Sequence, residues 1–581
     1  MVLATQVKVS AVMGGPSQLQ VPLYQRQYEW DLKEWNPLFD DIARLALDRQ
    51  SSTKESHFLG PIVLATVVGD TPSQKTTFIV DGQQRLLTLT VLLCALRDSG
   101  LPLGSGTRGK IDACLRVANW HKVSSPTAAL KVLPGPGDRK AFLMIVDEQT
   151  HVSRHQATKA HAHFGKRLEA LHQKVDKSAP DVTVPQFAAA ALNGLECVRI
   201  STQPSDNVNR IYETLNNRGR SLTQGDLIRN YVFMRLGVAG KSFYEHTWSD
   251  LDTRFSGESL THLFWLDLVR DSPTITQSQT YSQQSRRLEK LKTNDELKAG
   301  IKAIAKRGDL WEVIQNPHLE GDLAVRRRLQ RLKDWRTTTV HPILMYLLEL
   351  RSQGRATDKE LAKAMQYVES YFVRRMIMGR ATDNMNRVLL SAGENLDKAI
   401  GKGSKPPRVD VALRTYLSDP QKKWATDEEL KRDVAGKAFY HHGKAHQKAL
   451  VLKWIEMSLS GKHTVPADGL TIEHVMPQTL TDEWIQEIET GLGPGENVST
   501  VHENLVHTLG NLTLATPEAQ GGMSNNSFAE KKKYLRSHGS GLKLTAEITG
   551  KHNWRPDDIR DRGDRMVARI IKNWPGPKAK P

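Results

Sequence analysis

The stretch Leu470 to Pro477 (LTIEHVMP) carries a short strand-like run into a Glu-His pair, Glu473 and His474. Further along, Leu509 to Leu514 (LGNLTL) sets Asn511 inside a second such run, and Met523 to Lys533 (MSNNSFAEKKK) begins polar and continues as a helix. Strand, strand, helix is the order a ββα metal finger requires, a clamp that gathers a carboxylate, a base and an amide around one hard cation. Phosphodiester cleavage needs three things there: a general base to activate water, a divalent ion to stabilise charge on the phosphate and leaving oxygen, and a group that holds the imidazole in its working tautomer. Taken singly, His474 reads as a buried, hydrogen-bonded histidine and Asn511 as a turn residue. The ordered set favours the nuclease reading.

A second candidate is Val80 to Arg85 (VDGQQR), where a strand meets a helix. Exposed amides and the helix dipole at such a junction favour an anion, Gly82 permits close backbone approach, and Arg85 can fork onto a phosphate. The chain has no G-x-x-x-x-G-K-[ST] sequence, so a nucleotide site here is not a P-loop. Of the nearby aromatics, Trp30 and Trp35 read as core, whereas Tyr24, beside Gln25 and Arg26, reads as a pocket residue. The lone His57 reads as structural.

These groups need scaffolds. Phe58 to Val68 and Thr76 to Val80 are β-branched and aromatic runs that pair across a polar turn at Gly69 to Lys75. From Gln83, Leu86, Leu89, Thr90, Leu93 and Leu96 recur at helical spacing, so the second strand turns at Asp81-Gly82 directly into a helix. Further helices are expected at His161 to Val175, Asp206 to Leu215, Gly225 to Leu236, Val340 to Leu350 and Lys359 to Arg380, the last with a core stripe of Leu361, Met365, Val368 and Phe372. Gly401 to Pro407 (GKGSKPP) is too poor in apolar residues to pack and reads as a linker.

At 581 residues the chain exceeds one hydrophobic core. Its 81 basic and 64 acidic residues leave a net charge of +17, which favours a polyanionic partner, nucleic acid first. Three widely spaced cysteines, Cys94, Cys114 and Cys197, suit neither a disulfide framework nor a zinc knuckle. No apolar run reaches the length of a membrane span and the first residues lack a secretory pattern, so a cytoplasmic protein is expected.

The C-terminal third resembles the His-Asn-His-type nuclease domain of GmrSD-like modification-dependent (type IV) restriction enzymes, through Glu473, His474 and Pro477, then Gly510, Asn511, Leu512 and Leu514, then Asn525, Phe528 and Lys531. The resemblance implies His474 as general base, Asn511 as its orienter, Glu473 and Asn525 around Mg²⁺ or Mn²⁺, and Lys531 near phosphate. Several relatives carry Asn where this chain has Gln520, so Gln520, Asn525 and Asn526 all stay open for the amide that completes the metal shell. Val21 to Trp30 (VPLYQRQYEW), Phe58 to Pro61 (FLGP), Asp81 to Arg85 and Ile211 to Asn230 match the N-terminal domain of the same family, which resembles the ParB and sulfiredoxin fold. That domain is associated with nucleotide hydrolysis and with sensing modified DNA. The resemblance spans residues 15 to 240 and 440 to 545, and the helical middle carries no readable motif.

It implies a nucleotide site (GTP or ATP) at Gln25, Arg26, Asp81, Gly82, Gln83, Gln84, Arg85, Asn216, Arg218, Gly219, Asp226 and Asn230, and reading of the modification at Tyr24, Gln25 and Arg26. The expected architecture is a mostly helical α+β chain: a ParB/sulfiredoxin-like domain (1–240), a helical connector (241–400), a linker (401–408), and a domain with a ββα-metal finger (409–581). The expected function is a DNA endonuclease coupled to nucleotide hydrolysis that senses phosphorothioate or glucosylated hydroxymethylcytosine, with homo-oligomerisation left open. The rivals are a non-catalytic ParB-type DNA-binding regulator and an RNA-directed antiviral nuclease using the same metal finger.

Overall fold

The computed structural model describes residues 3–22, 25–68, 75–123, 125–148, 154–175, 181–202, 223–255, 257–401, 407–460, 469–538 and 541–578. Tyr24, Asn216, Arg218, Gly219, the expected helix Asp206 to Leu215 and most of the Gly69 to Lys75 turn and of the Gly401 to Pro407 linker lie outside them. The chain is a mostly helical α+β protein with two compact units, one of residues 1–262 and 278–302, the other of residues 263–277 and 303–581. No helix among the described residues is long and apolar enough to cross a membrane.

The first unit is built on a mixed sheet of β1 (Leu3–Lys8), β2 (Leu19–Gln20), β3 (His57–Val68), β4 (Lys75–Asp81), β5 (Val132–Leu133) and β6 (Leu195–Thr202), in the order β1-β6-β3-β4-β2-β5. The two expected strands are β3 and β4, antiparallel, while β6 runs parallel to β3. Alternation along the strands sorts side chains onto two faces. Ile62, Leu64 and Ile79 enter the main core with the helices Leu32–Ser51, Gln83–Asp98, Gln156–His172 and Val184–Asn193. The intervening Val63, Val80 and Ile200 form a smaller cluster joined by Leu227 of the helix Gln224–Leu236. Trp35 is buried, and Trp30 packs partly buried against the same core.

At the expected junction β4 passes through Gly82, at φ +93°, into the helix Gln83–Asp98. A side chain at residue 82 would be strained at that φ and would press on Ile62.

Among its described residues the second unit is helical apart from one hairpin. Its helices include His341–Ser352 and Asp358–Ile377, and in the latter Leu361, Met365, Val368 and Phe372 are buried as the spacing predicts. The hairpin pairs β7 (Thr471–His474) with β8 (Leu512–Ala515), antiparallel, with Glu473 opposite Thr513 and His474 opposite Leu512. Helices Pro517–Met523 and Phe528–His538 follow, and Val475, Met476, Trp484, Phe528, Trp554 and Ile559 close a core around them.

Candidate functional site

Glu473 and His474 are successive residues of β7, so their side chains leave opposite faces of the hairpin. Glu473 meets the helix Phe528–His538, where Lys531 Nζ donates to its Oε1 at 2.9 Å and to the His474 carbonyl at 2.7 Å. Both side chains are buried, Lys531 almost completely. Burial pushes the Glu473 carboxyl above the usual carboxylate range, against the pull of Lys531, and holds the Lys531 ammonium below its usual value. Lys531 is therefore an inward-facing ion-pair partner. Its helical phase carries the signal: it lies three residues after Phe528 and four before Leu535, both buried, on the face that packs inward.

His474 is 6% exposed. Its Nε2 lies 3.2 Å from His507 Nδ1, and the Tyr440 ring packs on it in a T-shaped contact with centroids 4.5 Å apart. Burial, then the neighbouring His507 and Lys531, push its pKa down to about 3, so at neutral pH the imidazole is in its proton-accepting form. His507 is itself held between rings, stacked on Tyr440 at 5.6 Å and packed on His441 at 4.2 Å. Reading the sequence did not single out His507, Tyr440 or His441. His507 lies 33 residues beyond His474, and Tyr440 and His441 arrive from the distant 3₁₀ turn Phe439–His441.

Asn511 is fully buried and makes four hydrogen bonds. Its Oδ1 accepts from Met476 N at 2.7 Å and from Trp554 Nε1 at 3.1 Å, and its Nδ2 donates to Met476 O at 2.8 Å and Val506 O at 2.9 Å. The amide thus reaches His474 only through the backbone just beyond it. Gly510 has a separate reason: a Cβ there would collide with the Ile559 carbonyl of the helix Pro556–Asn573. From that helix the buried Arg562 donates to Gly510 O at 2.7 Å and Leu512 O at 2.8 Å.

The amides considered for a metal shell are all exposed. Asn525 and Asn526 follow Ser524, a non-glycine residue at φ +32°, a strained position that turns the chain between two helices. Asn526 donates to Gly522 O at 2.9 Å, and Gln520 accepts from Thr471 Oγ1 at 2.8 Å. Among the described residues no three His, Cys, Asp or Glu side chains are grouped to hold a metal. The Glu473 carboxylate is held by Lys531, so these residues form no preassembled metal cage, and an ion here would have to keep most of its shell as water and phosphate oxygens, as Mg²⁺ does.

In the first unit Gln83 and Gln84 hold the segment before the first long helix. Gln83 Nε2 donates to Arg26 O at 3.2 Å, Gln84 Nε2 donates to Gln27 O at 3.0 Å, and Gln84 Oε1 accepts from Glu29 N at 3.0 Å. Gln25 Nε2 donates to Val80 O at 3.0 Å, so the expected pocket residues Gln25 and Arg26 do lie against Asp81 to Arg85. Arg85 donates to Leu59 O at 2.8 Å and to Asp81 Oδ2 at 3.2 Å. Burial raises the Asp81 carboxyl against the opposing pull of Arg85.

Asp226 accepts from Arg229 at 2.7 Å and caps its own helix through Thr223. Two buried acceptors, Gln83 Oε1 and Asn230 Oδ1, have no hydrogen-bond partner among the described residues. Buried polar atoms are rarely left so.

Two family models match the chain. The N-terminal domain of the GmrSD restriction endonuclease matches residues 9–233, and the C-terminal domain of GmrSD restriction endonucleases matches residues 424–569. No curated protein matches it.

Proposed function

The chain belongs to the GmrSD family of restriction endonucleases, and on that premise we propose that it cuts or nicks modified DNA at the β7–β8 hairpin, with His474 as general base. The observation that carries the reading is the placement of a neutral, buried imidazole on the short strand β7, in the part of the chain that matches the C-terminal domain of the family. His474 takes the proton from the attacking water. Glu473, once released from Lys531, would hold Mg²⁺ or Mn²⁺ with an amide from Gln520, Asn525 or Asn526. Such an ion supplies charge stabilisation to the phosphate and leaving oxygen. Asn511 fixes the backbone that follows the base, through Met476.

We further propose that the first unit, a ParB/sulfiredoxin-type sensor, binds and hydrolyses GTP or ATP. The support is the left-handed Gly82 at the start of a long helix, a position that suits an anion, together with the unpartnered acceptors of Gln83 and Asn230, which donors on a bound base or ribose would satisfy. Arg85 and Asp81 already hold each other, so they shape the site before any phosphate arrives. The modification read is a phosphorothioate or a glucosylated hydroxymethylcytosine, with Tyr24, Gln25 and Arg26 as its readers.

The test is incubation with phosphorothioate, glucosylated-hydroxymethylcytosine and unmodified plasmids and with RNA, in Mg²⁺ with and without nucleotide. Cleavage confined to one modified DNA, stopped by chelation and absent in His474→Ala, is expected. Equal cleavage of RNA, or undiminished nicking by His474→Ala, would overturn the reading.

A further inference from the structure

A histidine that works as a base must keep one nitrogen free of hydrogen, and something must hold the hydrogen on the other. The expected holder, Asn511, has its amide committed to Met476, Val506 and Trp554. Tyr440 meets His474 in a T-shaped ring contact. Among the described residues, the side-chain polar atom that meets the imidazole is His507 Nδ1, 3.2 Å from His474 Nε2.

His507 is suited to hold that position. Its ring lies against Tyr440 on one contact and His441 on another, and its carbonyl accepts from Tyr440 N at 3.1 Å, so backbone and side chain are both tied to the 3₁₀ turn Phe439–His441. Two neutral imidazoles joined nitrogen to nitrogen share one hydrogen, and only one direction leaves a base. If His507 donated, His474 Nε2 would lose its lone pair and the hydrogen of His474 would sit on Nδ1. If His474 donates from Nε2, its Nδ1 lone pair is free.

We propose that His507 is the positioning residue of the nuclease site: its Nδ1 accepts the Nε2 hydrogen of His474 and so keeps His474 Nδ1 as the proton-accepting nitrogen. This rests on His474 being the general base. No bond to DNA is asked of His507, so its loss should lower kcat and leave KM for DNA alone.

The full chain and its His474→Ala, His507→Leu and His507→Asn variants are compared on whichever of the three plasmids the wild type nicks fastest, with thermal melting alongside. The Asn amide oxygen lies as many bonds from Cα as Nδ1 of histidine and can accept the same hydrogen. His507→Leu should lower kcat by about 10- to 100-fold, the size typical of removing a group that fixes a functional imidazole, with KM and melting little changed. His507→Asn should recover most of it. Nitrogen-15 shifts of the His474 ring in the wild type should show hydrogen on Nε2, and a tautomer mixture in His507→Leu.

Full kcat in His507→Leu, failure of His507→Asn to exceed it, or hydrogen on Nδ1 of wild-type His474 would overturn the proposal. Should His507→Leu not fold, the Asn variant and the wild-type spectrum still decide. Wild-type nicking by His474→Ala would instead sink the general-base reading, and the proposal with it.

Discussion

Lys531 and Glu473 form an ion pair at 2.9 Å in which both partners are buried and the ammonium also binds the carbonyl of His474. Removing one member of such a pair leaves a charge without a partner, whereas replacing both by uncharged groups of similar shape does not. Lys531→Met alone is expected to destabilise the second unit by roughly 3–5 kcal/mol, and Glu473→Gln/Lys531→Met together by much less. Urea unfolding of the two singles and the double measures the coupling. Additive losses would show that the pair is not coupled.

The same burial separates Lys531 from its neighbours in the basic run. Lys533 is 73% exposed and Arg536 is exposed as well, so these two can reach phosphate, while Lys531 cannot without breaking the pair. Lys533→Ala/Arg536→Ala should weaken binding to modified and unmodified DNA alike, and reduce the salt slope by roughly 1–2. A slope that stays at the wild-type value would place the DNA path elsewhere.

Asn511 and His474 should fail in different ways. Asn511→Ala strips partners from Met476 N, Met476 O, Val506 O and Trp554 Nε1, all buried, and each orphaned group costs about 1–3 kcal/mol. Thermal melting should therefore fall by many degrees, together with cleavage. His474→Ala should abolish cleavage, a loss of roughly 10² to 10⁴ in rate, with a far smaller change in melting. An Asn511→Ala protein that melts like the wild type would return Asn511 to a purely chemical role.

In the first unit Gly60, at φ +96°, faces Arg85, and a Cβ there would fall 2.4 Å from Nη1. Gly60→Ala should displace the guanidinium from Leu59 O and Asp81, and so reproduce the nucleotide-binding defect expected of Arg85→Ala without touching the arginine. Calorimetry with GTP and ATP on both variants is the check. Wild-type affinity in either one would move the nucleotide site away from Arg85.

The elements were easier to read than the contacts. The change from a β-branched and aromatic run to helical spacing across Val80, Gly82 and Leu86 marked a strand-turn-helix junction, because backbone conformation is written in side-chain type and spacing. The Glu-His and Gly-Asn runs likewise marked two strands, and those strands pair. What Gln83, Gln84 and Asn511 do there was not legible. Each bonds to backbone, and a backbone carbonyl or amide looks the same whatever residue bears it. His507 and Tyr440 were hidden for another reason: they reach His474 from positions 33 and 34 residues away in sequence, with no spacing rule to connect them.

Acid should destabilise the second unit. His474, pushed down to about 3, and His442 and His507, also held down chiefly by burial, are neutral in the folded second unit, whereas in the unfolded chain a histidine titrates near 6.5. Below that value the unfolded state binds more protons than the folded one, so stability rises with pH and is lost on acidification. For His474 the loss starts near pH 6.5 and continues to about 3, at up to about 1.4 kcal/mol per pH unit for a fully shifted group. Glu473 acts with the opposite sign. Its raised carboxyl contributes stability that is present at low pH and lost as pH rises through its folded value, and because an unfolded glutamate titrates near 4.3, that offset acts at the acid end of the range. Three histidines act against one carboxyl, so melting should fall on acidification from pH 7 to 5. His474→Gln, which keeps a polar side chain but cannot titrate, should flatten that slope. Melting independent of pH across this range, or a His474→Gln slope as steep as the wild type, would show that His474 is not held neutral by its burial.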